Sequence, residues 1–165
     1  MTASTSSISI GEIGVRTVDP GRVVGTHWWN PPAVVPLVEV VQAEHTRPDV
    51  VERTMGALAA LGKEPVHVLR DVPGFVGNRL QHALWREAFH LLDEGVCDAD
   101  TIDTVVRRSF GSRLPVLGPL ESAELVGLDL TLAIHEYLYP HLAASQVPGP
   151  TLRGAVERGD LGVKT

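Results

Sequence analysis

The residue that most constrains this chain is Glu39, a carboxylate set inside the run Pro36-Leu37-Val38-Glu39-Val40-Val41. Its β-branched neighbours favour a strand. A charge placed there faces burial, where an unpaired carboxylate costs several kcal/mol, so the fold has to bring it a partner. The preceding run, Arg22-Val23-Val24-Gly25-Thr26-His27, ends on a histidine. If the two runs are neighbouring strands, Glu39 reaches the imidazole of His27 and fixes its tautomer, as a general base requires. Two plainer readings stay open at this point. His27 can cap its strand and bond to backbone, and the pair can be a structural ion pair rather than a catalytic dyad.

Around these runs the punctuation sets the organisation. Residues 23–26 and 37–41 predict strands, joined by an extended loop carrying Pro31, Pro32 and Pro36. Ser7-Ile8-Ser9-Ile10 alternates and reads as another short strand. Residues 49–61 predict a helix with Val51, Met55, Leu58 and Leu61 on one face, Gly62 as its C-cap, and Lys63 at the negative end of its dipole. A strand over 65–69 completes a βαβ unit, the signature of a parallel sheet. Beyond the turn Asp71-Val72-Pro73-Gly74-Phe75 the chain reads as helices: 78–92, 99–108 with Asp98 or Asp100 as N-cap, 121–139 interrupted at Gly127, and 151–158. Residues 111–119 read as a Gly/Pro loop.

The bulk numbers exclude several classes. With 44% apolar and 21% charged residues the chain is globular. A net charge of -6 without a Lys/Arg cluster argues against a nucleic-acid surface. The single cysteine, Cys97, excludes an internal disulfide and suits a reducing compartment. Residues 1–9 carry neither a basic nor an apolar signal-peptide region, and no apolar run approaches the roughly 20 residues that cross a bilayer. A cytoplasmic location follows as the expectation. No metal is expected, because His135 and His141 lie six apart without a matching carboxylate pattern. Asn78 reads as an ordinary helix N-cap, Ser6 as one hydroxyl in a Ser/Thr-rich stretch, and Lys164 as a solvated tail residue. Trp28 and Trp29 suit packing better than lining a substrate.

Taken in order, these segments resemble the 3-hydroxyacyl-CoA dehydrogenase family. The resemblance runs through Thr5-Ser6-Ser7-Ile8, Gly25-Thr26-His27-Trp28-Trp29-Asn30-Pro31, Leu37-Val38-Glu39-Val40-Val41 and Leu61-Gly62-Lys63. It continues through Asp71-Val72-Pro73-Gly74-Phe75-Val76, Asn78-Arg79-Leu80, Gly118-Pro119, Gly127-Leu128-Asp129 and Leu161-Gly162-Val163-Lys164-Thr165. It implies His27 as the base that takes a hydroxyl proton and Glu39 as the carboxylate that orients it. It further implies Ser6 and Asn78 as holders of the substrate oxygen, and Asn30, Lys164 and Ser6 as contacts to the dinucleotide. The implied cofactor is NAD, and the implied substrate is a 3-hydroxyacyl-CoA or related 3-hydroxy acid. A homodimer built on the helical domain is also implied.

The family's Gly-x-Gly-x-x-Gly phosphate loop does not occur in these 165 residues. The expected fold is therefore an α/β remnant of a Rossmann-like domain over 1–70, followed by an all-helical domain over 71–165, mainly helical overall. A separate NAD-binding chain enters as a possible partner. Trp-Trp stands where Phe-Phe is common in the family. Two other readings are carried forward: a cofactor-independent acid–base enzyme acting on a 3-oxo or 3-hydroxyacyl compound, and a non-catalytic dimerisation module.

Overall fold

The computed structural model describes residues 2–3 and 8–164. The chain divides into two compact units, Met1–His82 and Ala83–Thr165. The first is built on a four-stranded sheet in the order β1 (Thr2–Ala3), β2 (Val24–Trp28), β3 (Leu37–Val41), β4 (Glu64–Val68). β1 and β2 are parallel, β2 and β3 antiparallel, and β3 and β4 parallel. Between β1 and β2 lies the short helix α1 (Ile10–Gly14), and α2 (Pro48–Ala60) crosses from β3 to β4. That crossover is the βαβ unit expected from the sequence.

The strand period of two sorts the valines. Val24, Val38 and Val40 pack with Val51 and Leu58 of α2, while Val23, Val41 and Val68 pack with Ile10 and Phe75 on the other face. Gly25 is required where α1 crosses the sheet, because a Cβ there would lie 2.7 Å from the Ile10 side chain. The expectation of an α/β remnant within a mainly helical chain is thus corrected. The first unit has a sheet with an apolar cluster on each face, a layered core rather than a fringe of strands.

Three local expectations also change. Residues 8–10 form no strand: Ser9 caps α1, its hydroxyl accepting from the Glu12 N–H at 3.3 Å, and Ile10 opens the helix. Leu61 is exposed rather than part of the α2 core face. Lys63 bonds the carbonyls of Pro32 and Val35 and lies 5.8 Å from the Trp28 ring, so it pins the proline-rich loop.

The second unit continues α3 (Gly77–Asp93) and adds α4 (Ala99–Arg108), α5 (Pro119–Val126), α6 (Leu128–Leu138) and α7 (Pro150–Glu157). The break between α5 and α6 falls at Gly127, whose φ of 106° disfavours residues bearing a Cβ. Asp93 of α3 accepts from the Thr151 N–H at the start of α7 at 2.9 Å. Asp98 caps α4, accepting from the Thr101 N–H at 2.8 Å. Hydrogen bonding from Thr101 holds the Asp98 carboxyl below the usual carboxylate range. Its contribution to α4 is therefore present above the ordinary carboxylate pKa and lost as pH falls through the lowered value. Thermal unfolding followed across the acid range should show Asp98→Asn with a shallower loss of stability than the native chain.

Candidate functional site

The antiparallel register of β2 and β3 sets His27 directly opposite Glu39. Both side chains point to the sheet face away from α2, and both residues are buried, Glu39 to 1% exposure. His27 Nδ1 lies 2.6 Å from Glu39 Oε2. The other carboxylate oxygen, Oε1, accepts from the backbone N–H of Val76 at 3.0 Å and of Gly77 at 3.1 Å. Those N–H groups stand at the start of α3, where unsatisfied donors and the helix dipole favour an anion. Glu39 thus accepts from two backbone donors, and as a carboxylate, an acceptor only, it takes its remaining bond from an Nδ1–H of His27. That tautomer leaves the basic lone pair on Nε2, the form a general base needs.

Two aromatic rings complete the cluster. Trp29 and Phe75 each lie 5.4 Å from the imidazole, tilted at 59° and 58°. Phe75 is buried and adopts a φ of 48°, left-handed backbone that non-glycine residues seldom take. The turn Val72–Phe75, closed by the Phe75 N–H on the Val72 carbonyl at 2.9 Å, delivers that ring to His27. Gly77 is required beside it, because a Cβ there would fall 2.2 Å from Trp29 Cζ2.

The structure separates the remaining sequence candidates. Asn30 is exposed in the loop after β2, three residues past His27. Asn78 lies within the first turn of α3, one residue past its start, rather than at the N-cap. Ser6 lies outside the described residues. Lys164 belongs to the turn Gly162–Lys164 of the second unit. Sequence reasoning missed Phe75 and the N–H groups of Val76 and Gly77 as neighbours of the pair; the Pro73-Gly74-Phe75 turn was their signal. Among the described residues no group of three His, Cys, Asp or Glu side chains is placed to hold a metal.

Replacing Glu39 by Gln leaves one of its three donors facing an amide NH2. The expected cost is about 1–3 kcal/mol of unfolding free energy, measured by urea titration. The His27 Nδ1–H resonance should lose its carboxylate-bonded position in the same variant.

A family model described as 3-hydroxyacyl-CoA dehydrogenase, NAD binding domain, matches residues 1–72, and one described as the C-terminal domain of the same family matches 74–165. The first match overturns the remnant expectation a second time, since residues 1–72 are recognised as the NAD-binding domain itself. A 5-formyl-3-hydroxy-2-methylpyridine 4-carboxylate 5-dehydrogenase of Mesorhizobium japonicum is 34% identical over 163 residues, 99% of this chain and 53% of that protein. A probable 3-hydroxybutyryl-CoA dehydrogenase of Bacillus subtilis is 39% identical over 166 residues, 100% of this chain and 56% of that protein. A crystal structure of a 5-dehydrogenase for the same pyridine carboxylate superposes with a TM-score of 0.95 at 34% identity, over 99% of this chain and 53% of that one. The (S)-3-hydroxybutyryl-CoA dehydrogenase of Ralstonia eutropha gives 0.74 at 35% identity, over 99% and 56%. The chain spans about half the length of these relatives. On the two matching domain models and these relatives, the chain belongs to the 3-hydroxyacyl-CoA dehydrogenase family.

Proposed function

We propose that the protein is an NAD-dependent dehydrogenase acting on a 3-hydroxyacyl-CoA or a related 3-hydroxy acid. The observation that carries this reading is the buried His27–Glu39 pair, with its tautomer set by the carboxylate. In the oxidising direction His27 Nε2 takes the proton of the substrate hydroxyl. Glu39 holds Nδ1–H in place and offsets the positive charge the ring gains. Ser6 and Asn78 hold the reacting oxygen, and Asn30, Lys164 and Ser6 contact the dinucleotide. β1 and β2 run parallel, so their carboxyl ends open on one side, and the exposed Asn30 follows β2 there. That is where ligands sit in open α/β sheets, which supports a nicotinamide beside His27. NAD, when bound, supplies the oxidant that takes the electron pair lost by the alcohol carbon.

The test is reduction of acetoacetyl-CoA and of acetoacetate by NADH, followed by nicotinamide absorbance. His27→Ala should lower kcat by roughly 10²–10⁴-fold. Turnover unaffected by this substitution would overturn the reading.

Self-association and a cytoplasmic setting belong to the same proposal. Among the described residues of the second unit, Ala143 is the one hydrophobic side chain buried in the core, while Leu120, Leu125 and Tyr137 are 83%, 73% and 72% exposed. So large an apolar surface on a helical unit needs a cover, and a second copy supplies one. None of the described helices is long and apolar enough to cross a membrane. Sedimentation equilibrium should return the mass of a dimer at micromolar concentration, and a monomer there would remove this part of the proposal.

A further inference from the structure

The turn Val72–Phe75 serves the site twice. It delivers the Phe75 ring to His27, and it leads directly into the Val76 and Gly77 N–H groups that hold Glu39. It does so against backbone preference at Phe75, whose φ is 48°. Strain of this kind persists where the surroundings over-determine it. From the α3 side, the Arg79 N–H donates to the Gly74 carbonyl at 3.3 Å and its guanidinium to the Pro73 carbonyl at 3.3 Å. From the other side the hold is Asp71. Its Oδ2 accepts from the Ser9 hydroxyl at 2.7 Å and from the Gly11 N–H at 3.0 Å. Ile10, between those two donors, packs with Phe75 in one apolar cluster. Beside these bonds opens a cavity of about 220 Å³, lined by Ser9, Glu12, Asp71, Val72, Gly74 and Phe75. Side chains therefore leave space around the turn, and it has room to relax once Asp71 lets go.

We propose that Asp71 is a positioning residue: by tying the turn to the start of α1, it keeps the Val76 and Gly77 N–H groups on Glu39 and so keeps the carboxylate on the His27 imidazole. For its effect on turnover this inference rests on the dehydrogenase reading. When Asp71 is lost the turn relaxes and the two N–H groups move off Oε1. The carboxylate then shifts to regain donors, drawing Oε2 from its place 2.6 Å from Nδ1. A base held in a looser geometry transfers its proton less efficiently. The groups that move act on the reacting hydroxyl, so the loss falls on kcat rather than KM. Charge on Asp71 is not the requirement. Both of its bonds end on one oxygen, and a carboxamide oxygen with two lone pairs can accept both.

Asp71→Ala deletes both bonds, and Asp71→Asn keeps an acceptor for them. Asp98→Ala removes the capping carboxylate of α4 and controls for lost stability. With NADH and acetoacetyl-CoA, Asp71→Ala should lower kcat about tenfold at nearly unchanged KM, while Asp71→Asn and Asp98→Ala stay within about twofold of the native chain. The His27 Nδ1–H proton resonance gives a second readout, which needs no turnover and which lost stability alone would not move. It should shift in Asp71→Ala and hold its native position in Asp71→Asn and Asp98→Ala. Equal losses in Asp71→Ala and Asp71→Asn, or a resonance unmoved in Asp71→Ala, would overturn the proposal. Should Asp71→Ala not fold, Ser9→Ala deletes the shorter bond alone and should shift the resonance by less; no shift there overturns the proposal too. A native chain without turnover whose resonance shifts in Asp71→Ala would retire the dehydrogenase reading while keeping the role of Asp71. Native turnover that survives Asp71→Ala undiminished would keep the dehydrogenase and overturn the role.

Discussion

A buried carboxylate held by three donors is the constraint on which the site depends. Glu39 is nearly inaccessible to water, so its charge has to be met from within the protein. One donor comes from the strand opposite and two from the Val76 and Gly77 N–H groups where α3 begins. A one-residue slip of β2 on β3 would turn His27 to the other face and leave the carboxylate short of a partner. Displacing the start of α3 would strand two backbone N–H groups together with the same oxygen. The register of the sheet, the docking of the turn before α3 and the tautomer of the histidine are thus one energetic decision.

The turn before α3 pays for this arrangement in backbone strain. Gly74 and Phe75 both take positive φ, and Phe75 does so with a side chain that is buried against His27. Such strain persists where the surroundings over-determine it. Here the Phe75 ring belongs to the apolar cluster with Ile10, Val23, Val41 and Val68, so core packing offsets the conformational cost. Gly77 then allows Trp29 to approach the backbone closely. Aromatic contacts on the imidazole therefore arise from the same short segment that supplies the donors to Glu39.

Much of this was legible along the chain, for reasons that differ by element. The helix over Ala99–Arg108 was found to the residue because Asp98 is a local cap and needs no tertiary help. The strand pair was legible because Glu39 in a valine run has few places to go. Residues 8–10 were misjudged because alternation over four residues carries less information than a serine placed to cap a helix. Lys63 was placed on the α2 dipole, but its long chain found two loop carbonyls and an indole instead. The first unit was expected as a remnant because a missing glycine motif outweighed the evidence of its own valines. Those valines form a core on both faces of the sheet.

The sequence alone determined most of the elements and the need of Glu39 for a partner, because periodicity, capping and the cost of burying charge act locally. It also carried the family motifs through which Ser6, Asn78 and Lys164 gained their implied roles. Tertiary structure decided which donors meet the carboxylate, that Phe75 turns left-handed to reach the imidazole, and that the two adjacent tryptophans part company. Trp28 joins the α2 face, while Trp29 lies by His27 with its N–H unmet. Those outcomes depend on segments some 40 residues apart converging on one carboxylate, as the separations of 37 and 38 residues between Glu39 and its α3 donors record. No local pattern encodes such convergence, because its energy exists only once the sheet and the start of α3 are both in place.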